Sequence, residues 1–411
     1  MITSYKFSGV VVLTGLLSGL GGMLLAMLLH SVQHLGFGYS QHMIISAESF
    51  LQGVSAASPE RRVTALLCGG LIAGIGWWLL ARYGKPRVSV AAAVKDIRHP
   101  MPFITTLIHA LLQIITVGLG SPLGREVAPR EIGALAATSL SRRFQLPAEQ
   151  SKVIIACGAG AGLAAVYNVP LAGALFTLEV LLVSFRGSCV LAALVTSAIA
   201  ALVASLGLGS GSQYHFTAPV ADHSLILWAI VTSPLFGCAA HLFRRYTARA
   251  RQGVKTNWQM PVLCLMSFGL TGLLSVWFPQ LPGNGKGPTQ LALYGDLSGM
   301  LPVILLVLKI ILVGAVLRAG AEGGVLTPGF TLGALLASIL FSCCSSFLPA
   351  SDQAGIALIG AAAFLASSMQ MPLTAITLAA EFTHADGSLV IPIMLAVGGT
   401  FATCYAIEKL K

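Results

Sequence analysis

The sequence predicts an all-α polytopic membrane protein made of two repeated halves with broken helices, and three observations carry that prediction. The first is composition: 56% of the 411 residues are hydrophobic and only 9% are charged. A soluble chain carries about 25% charged residues, so this one lacks the surface chemistry to stay in water. The second is the recurrence of apolar stretches near the roughly 20-residue length that spans a hydrocarbon core. These are Val10–Leu29, Val63–Ala81, Ile104–Leu119, Val153–Val183, Val190–Leu206, Leu225–Leu242, Pro261–Trp277, Leu301–Leu317, Val325–Phe341, Ile356–Ala380 and Ile391–Tyr405. They do not alternate in polarity, as the shorter strands of a membrane barrel would. The third is an internal repeat.

The repeat is read directly from the chain. GAGAGLAAVYNVPLAGALFTLE from Gly158 to Glu179 matches GAAAFLASSMQMPLTAITLAAE from Gly360 to Glu381 without a gap. Gly158, Pro170, Leu171 and Glu179 fall on Gly360, Pro372, Leu373 and Glu381. Upstream, Gly124–Pro129 corresponds to Gly324–Pro328, each opening a helix rich in Ala, Leu and Gly. The halves are placed at 1–209 and 223–411, with Gly207–Gly211 opening a joint that runs over 210–222.

The formal charge is +10, and the excess sits between spans, at Arg61 and Arg62, Arg82, Lys85 and Arg87, Arg142 and Arg143, and Arg244–Lys255. Basic residues flanking apolar spans follow the positive-inside pattern and place the Arg244–Lys255 loop in the cytoplasm. A nucleic-acid face would interleave such residues with aromatics. The eight cysteines lie mostly inside apolar spans, without zinc or redox spacing. Val10–Leu29 lacks the basic approach and cleavage site of a signal peptide and is expected to be a retained span.

Gly/Pro-interrupted spans at matching places in two halves point to a transporter that binds its substrate between them, at the membrane midplane. The 45 glycines and 19 prolines supply the breaks. A helix that starts inside the membrane presents free N–H groups and partial positive charge, which suits an anion. A cation site asks instead for carbonyls or rings of carboxylates.

Five acids, Glu126, Glu131, Glu179, Glu322 and Glu381, lie within or beside apolar spans. Each costs about 2.5–3.5 kcal/mol at the bilayer centre on insertion scales. Glu126, ahead of a helix expected from Pro129, is positioned to share a positive pocket with a mobile anion, to gate it, and to carry a proton; the plainer alternative is pairing with Arg125. Glu179 and Glu381, at equivalent repeat positions, are expected to cap or pair at helix ends. Glu131 is expected at the interface. Glu322 sits in a Gly-rich turn before the second anion-facing helix. Tyr405 is either an interfacial anchor or a hydroxyl donor to the anion, and His109 either a satisfied core residue or a proton shuttle.

These residues resemble a known family. Gly124-Arg125-Glu126 followed by Pro129, then Gly158–Gly173 with Asn168-Val169-Pro170-Leu171-Ala172-Gly173, then Gly323-Gly324-Val325-Leu326-Thr327-Pro328, are similar to the motifs of the CLC chloride channels and transporters. The similarity runs in order over roughly residues 5–408. It implies two inverted-topology repeats with broken and re-entrant helices, and a homodimer with one anion pathway per subunit. It also implies a glutamate gate at Glu126, backbone amides at Glu126–Val127 and Val325–Leu326, and a tyrosine donor at Tyr405. A multi-pass protein of the cell inner membrane is expected, with no cofactor, metal or nucleic-acid partner.

The chain departs from the family pattern in four places. Gly84-Lys85-Pro86-Arg87-Val88 stands where the family commonly has Gly-Ser-Gly-Ile-Pro, Val127-Ala128 precedes Pro129, Leu326 replaces phenylalanine, and Val180 replaces the internal proton glutamate. With Glu322 before the second motif, these departures resemble the fluoride branch and imply fluoride/proton antiport. Within that reading Glu322 helps to align the route or the second anion helix. A chloride/proton antiporter and a passive chloride channel are the alternatives. An intramembrane hydrolase is disfavoured by the absence of a His-Glu-x-x-His or Gly-x-Ser-x-Gly motif, and an inert scaffold does not explain the repeated Gly/Pro breaks.

Overall fold

The computed structural model describes residues 2–40, 42–217, 223–344, 349, 352–385 and 387–409. The first half runs α1 (Ile2–Phe37), α2 (Phe50–Ala56), α3 (Pro59–Tyr83), α4 (Val90–Lys95), α5 (Phe103–Gly118), α6 (Val127–Arg143), α7 (Ala148–Tyr167), α8 (Pro170–Phe176) and α9 (Gly187–Leu208). The second runs α10 (His223–Gln252), α11 (Gln259–Ser275), α12 (Lys286–Tyr294), α13 (Leu301–Ala319), α14 (Leu326–Cys344), α15 (Gln353–Met369), α16 (Pro372–Thr383) and α17 (Val390–Lys409). Eight of these helices are long and apolar enough to cross a bilayer. The expected joint at 210–222 includes 218–222, which lie outside the described residues.

Two stretches read as single spans, Val153–Val183 and Ile356–Ala380, are each broken in two. Asn168 and Gln370 adopt left-handed φ of 55° and 56° at the carboxyl ends of α7 and α15. Pro170 and Pro372 then open α8 and α16 as first-turn residues. The hydrophobic run hides the break because apolarity does not register a change of φ; the following proline is the legible sign.

The halves meet about a two-fold relation. Gly124 and Gly324 exchange backbone bonds at 2.7 and 2.9 Å in a single antiparallel bridge. Glu179 accepts from the backbone N–H of Leu373 and Thr374 at 2.9 and 2.8 Å. Glu381 accepts reciprocally from Leu171 and Ala172 at 2.9 and 2.8 Å. Each acid therefore caps the amino end of the broken helix of the other half, the structural role expected from their matched positions.

Small residues let the central helices approach. A Cβ on Gly133 would lie 2.0 Å from the Gly158 carbonyl oxygen, and one on Gly333 would lie 2.4 Å from that of Gly360. This repeats the same glycine-on-glycine crossing in α6/α7 and α14/α15, as close-packed membrane helices require. Gly133→Ala is predicted to destabilise the fold by about 1–3 kcal/mol through overpacking, read as a lowered melting temperature in detergent. Gly9→Ala, at a position with nothing within 4 Å, is the matched control and leaves the melting temperature unchanged.

Candidate functional site

Glu126 terminates the loop that precedes α6 and is 0% exposed. Its Oε1 accepts the backbone N–H of Leu326, the first residue of α14, at 2.8 Å. Its Oε2 accepts the Tyr167 hydroxyl at 3.3 Å. The carboxylate thus rests on the positive end of a helix contributed by the other half. Bonds to an ionised group contribute about 1.5–3 kcal/mol each, and a helix amino end adds up to about 2 kcal/mol in partly buried geometry.

Glycine makes the seat. A Cβ on Gly324 would fall 1.7 Å from Glu126 Oε1, and one on Gly124 would fall 2.1 Å from Oε2. Any side chain at either position would evict the carboxylate. Gly120 and Gly320, both at φ of 101°, turn the chain out of α5 and α13 into the two loops that meet here.

The sequence-derived site residues divide into two groups. Glu126, Val325 and Leu326 come together, and Val127 lies beside them as the first residue of α6, whose amino end has no side-chain cap. Tyr405 does not join them: its side chain is 59% exposed on the last turns of α17, with the Lys409 ammonium 4.7 Å from its ring centroid. The hydroxyl that reaches Glu126 is that of Tyr167. Its sequence signal is its place just before Asn168-Val169-Pro170, where the left-handed break swings the end of α7 toward the glycine loops.

Glu322 stands two residues before Gly324 but faces a separate polar cluster. Its Oε1 accepts Arg87 Nη2 and its Oε2 accepts Arg251 Nη1, both at 2.7 Å, while Arg251 Nη2 donates to the Gly323 carbonyl at 2.8 Å. Arg87 also donates to His109 Nε2. That fixes the proton on His109 Nδ1, which donates to Glu131 Oε2 at 2.9 Å, and Gln113 Nε2 reaches the same oxygen at 3.0 Å. His109 is the satisfied core histidine. Glu131, expected at the interface, is instead partly buried with its side chain 12% exposed, because α6 packs against α5 and turns this face toward His109. Arg125 does not pair with Glu126: it donates to the Val166 carbonyl at 3.5 Å and lies 5.1 Å over the Tyr167 ring.

Comparison with known proteins bears on this arrangement. Residues 69–405 match the family model described as voltage gated chloride channel. The chain is 32% identical over 349 residues, 82% of either chain, to the voltage-gated ClC-type chloride channel ClcB of Salmonella typhimurium. Its fold is similar to a slow cyanobacterial Cl−/H+ antiporter at a TM-score of 0.83 and 18% identity, covering 98% of this chain and 95% of that one. It is also similar to a CLC-type fluoride/proton antiporter at 0.67 and 18% identity, covering 99% and 96%. With a family model matched over most of its length and a relative 32% identical, this chain belongs to the voltage gated chloride channel family, the CLC proteins.

Proposed function

We propose that this protein exchanges chloride for protons across the bacterial inner membrane, as a homodimer with one route per subunit and with Glu126 as both gate and proton carrier. The supporting observation is that the Glu126 carboxylate occupies the Leu326 N–H, a donor suited to a mobile anion. Carboxylate and chloride compete for the same positive helix end, so the route is shut while Glu126 is seated and ionised.

Protonation removes the charge that holds the side chain in place and weakens its bond to Leu326. The neutral acid then yields the seat to chloride, which takes the amides of Val325–Leu326 and those at the start of α6, Glu126–Val127. Reseating of the side chain on the other phase of the cycle expels the anion and releases the proton. Proton and chloride thus alternate on one site, which couples them without a second binding centre.

Two guanidinium groups on one carboxylate favour its ionised form. Glu322 is therefore assigned to positioning rather than proton carriage: it fixes Arg87 and Arg251, and Arg251 in turn fixes the Gly323 carbonyl ahead of α14. Chloride is preferred to the fluoride implied by the sequence resemblance, because the curated relatives are named as chloride channels. A passive chloride channel is the second reading, favoured by those same names and by Val180.

In proteoliposomes read with ion-selective electrodes, chloride efflux is expected to exceed fluoride efflux by about tenfold or more, a barrier difference of about 1.4 kcal/mol; the reverse order restores the fluoride reading. Glu126→Gln is expected to abolish proton movement while anion flux persists. Wild-type protein that passes chloride with no proton flux would establish the channel instead. Glu322→Gln is expected to slow chloride several-fold with the proton-to-chloride ratio unchanged, and an altered ratio at full chloride flux would make Glu322 a carrier.

A further inference from the structure

A cavity of about 670 Å³ lies on the other side of Glu126 from the Glu322 cluster. Arg87, which follows α3, and Arg251, at the end of α10, both bind Glu322, so these two basic ends share one face. The positive-inside pattern makes that face cytoplasmic. The cavity is lined by residues 45–52, which lead into the opposite end of α3, together with the ends of α1, α7 and α9 and the start of α12. It therefore opens outward. Tyr167 and Arg125 line it, and Tyr167 is the group that touches Glu126.

We propose that this cavity holds a small inorganic anion, bound by Lys286, Arg125 and His30, as an outer waiting site ahead of Glu126. The inference rests on the anion-transport reading and adds a second site to it. Arg125 is 8% exposed, its Nε has no partner, and its one backbone bond is long at 3.5 Å. Among the described residues neither Arg125 nor Lys286 forms an ion pair. A buried guanidinium without a carboxylate asks for a counter-ion, and a mobile anion in the cavity supplies it.

Charges of both signs reach the cavity, Glu126 acting on its lining residues Tyr167 and Tyr214 and Glu48 on Tyr39, while the cations gather around His30 and Lys286. Apart from burial, the charges acting on His30 are those of Arg125, Lys286 and His34, and the charge acting on Lys286 is that of Arg125. Two acids, Glu48 and Asp296, also line the cavity. Glu48 is engaged by the Ser40 hydroxyl at 2.8 Å, and Asp296 is exposed beyond the far end of α12. Lys286 is the first residue of α12, so its ammonium and the helix amino end reinforce one another toward the cavity.

The loop that delivers Lys286 is held rigidly. Lys309, 1% exposed, donates to the carbonyls of Leu281 and Gly283 at 2.9 and 2.5 Å. The Gly283 N–H reaches the Gly120 carbonyl at 2.9 Å, and the Thr331 hydroxyl reaches that of Gly285 at 3.0 Å. A cation fixed before the ligand arrives loses little freedom on binding.

The test uses the full chain in oriented proteoliposomes, comparing wild type, Lys286→Met and Lys286→Arg for chloride uptake from each face. Lys286→Met is expected to raise the half-saturating chloride concentration at the cavity face about threefold to tenfold, with the maximal rate and the cytoplasmic-face value unchanged. Lys286→Arg restores the wild-type value. No shift, or an equal shift at both faces, overturns the site's role as a waiting site in transport. In crystals soaked in bromide, an anomalous peak beside Lys286 and Arg125 that is lost in Lys286→Met supports the site whatever the transport assay shows. A wild type that carries no protons defeats the exchange reading alone, and a bromide-free cavity defeats this site alone.

Discussion

Within a bilayer a helix that begins part-way across leaves N–H groups that water does not reach, and the fold is organised around satisfying them. In this chain acids from the opposite half do so. Glu179 caps α16, Glu381 caps α8, and Glu126 caps α14. The interleaving ties the two halves together more specifically than apolar contact does, because lipid is as apolar as the helix surfaces and gives them little reason to prefer each other.

Symmetry separates the paired caps from the unpaired one. Glu179 and Glu381 answer each other, and each holds two backbone N–H groups. Glu126 has no acidic counterpart: its equivalent in the second half is Leu326, whose N–H it borrows. The start of α6 consequently has no side-chain cap, and one seat at the centre is filled by a single carboxylate on a single backbone donor and one tyrosine hydroxyl.

Charge is distributed so that the seat is approached from two unlike sides. On one side of it Glu322 gathers Arg87 and Arg251, and Arg87 joins His109 and Glu131 to the same network. Arg125 and Lys286, which line the cavity beside Tyr167, form no ion pair among the described residues.

Much of this was legible in the chain. Composition and stretch length determine a helical membrane protein, because 9% charge is too little to solvate a surface and helices alone satisfy the backbone of such runs. The repeat, the Gly124-Arg125-Glu126 motif and the matched Pro170 and Pro372 follow from spacing, while the breaks at Asn168 and Gln370 lie hidden inside apolar runs. What only the tertiary structure decided is which side chains meet across the halves. Tyr167 reaches the Glu126 carboxylate, Glu131 turns inward to His109, and Glu322 takes one arginine from the loop after α3 and one from the end of α10. Those pairings depend on how far a broken helix swings and which face it buries, and a one-dimensional pattern carries no measure of either.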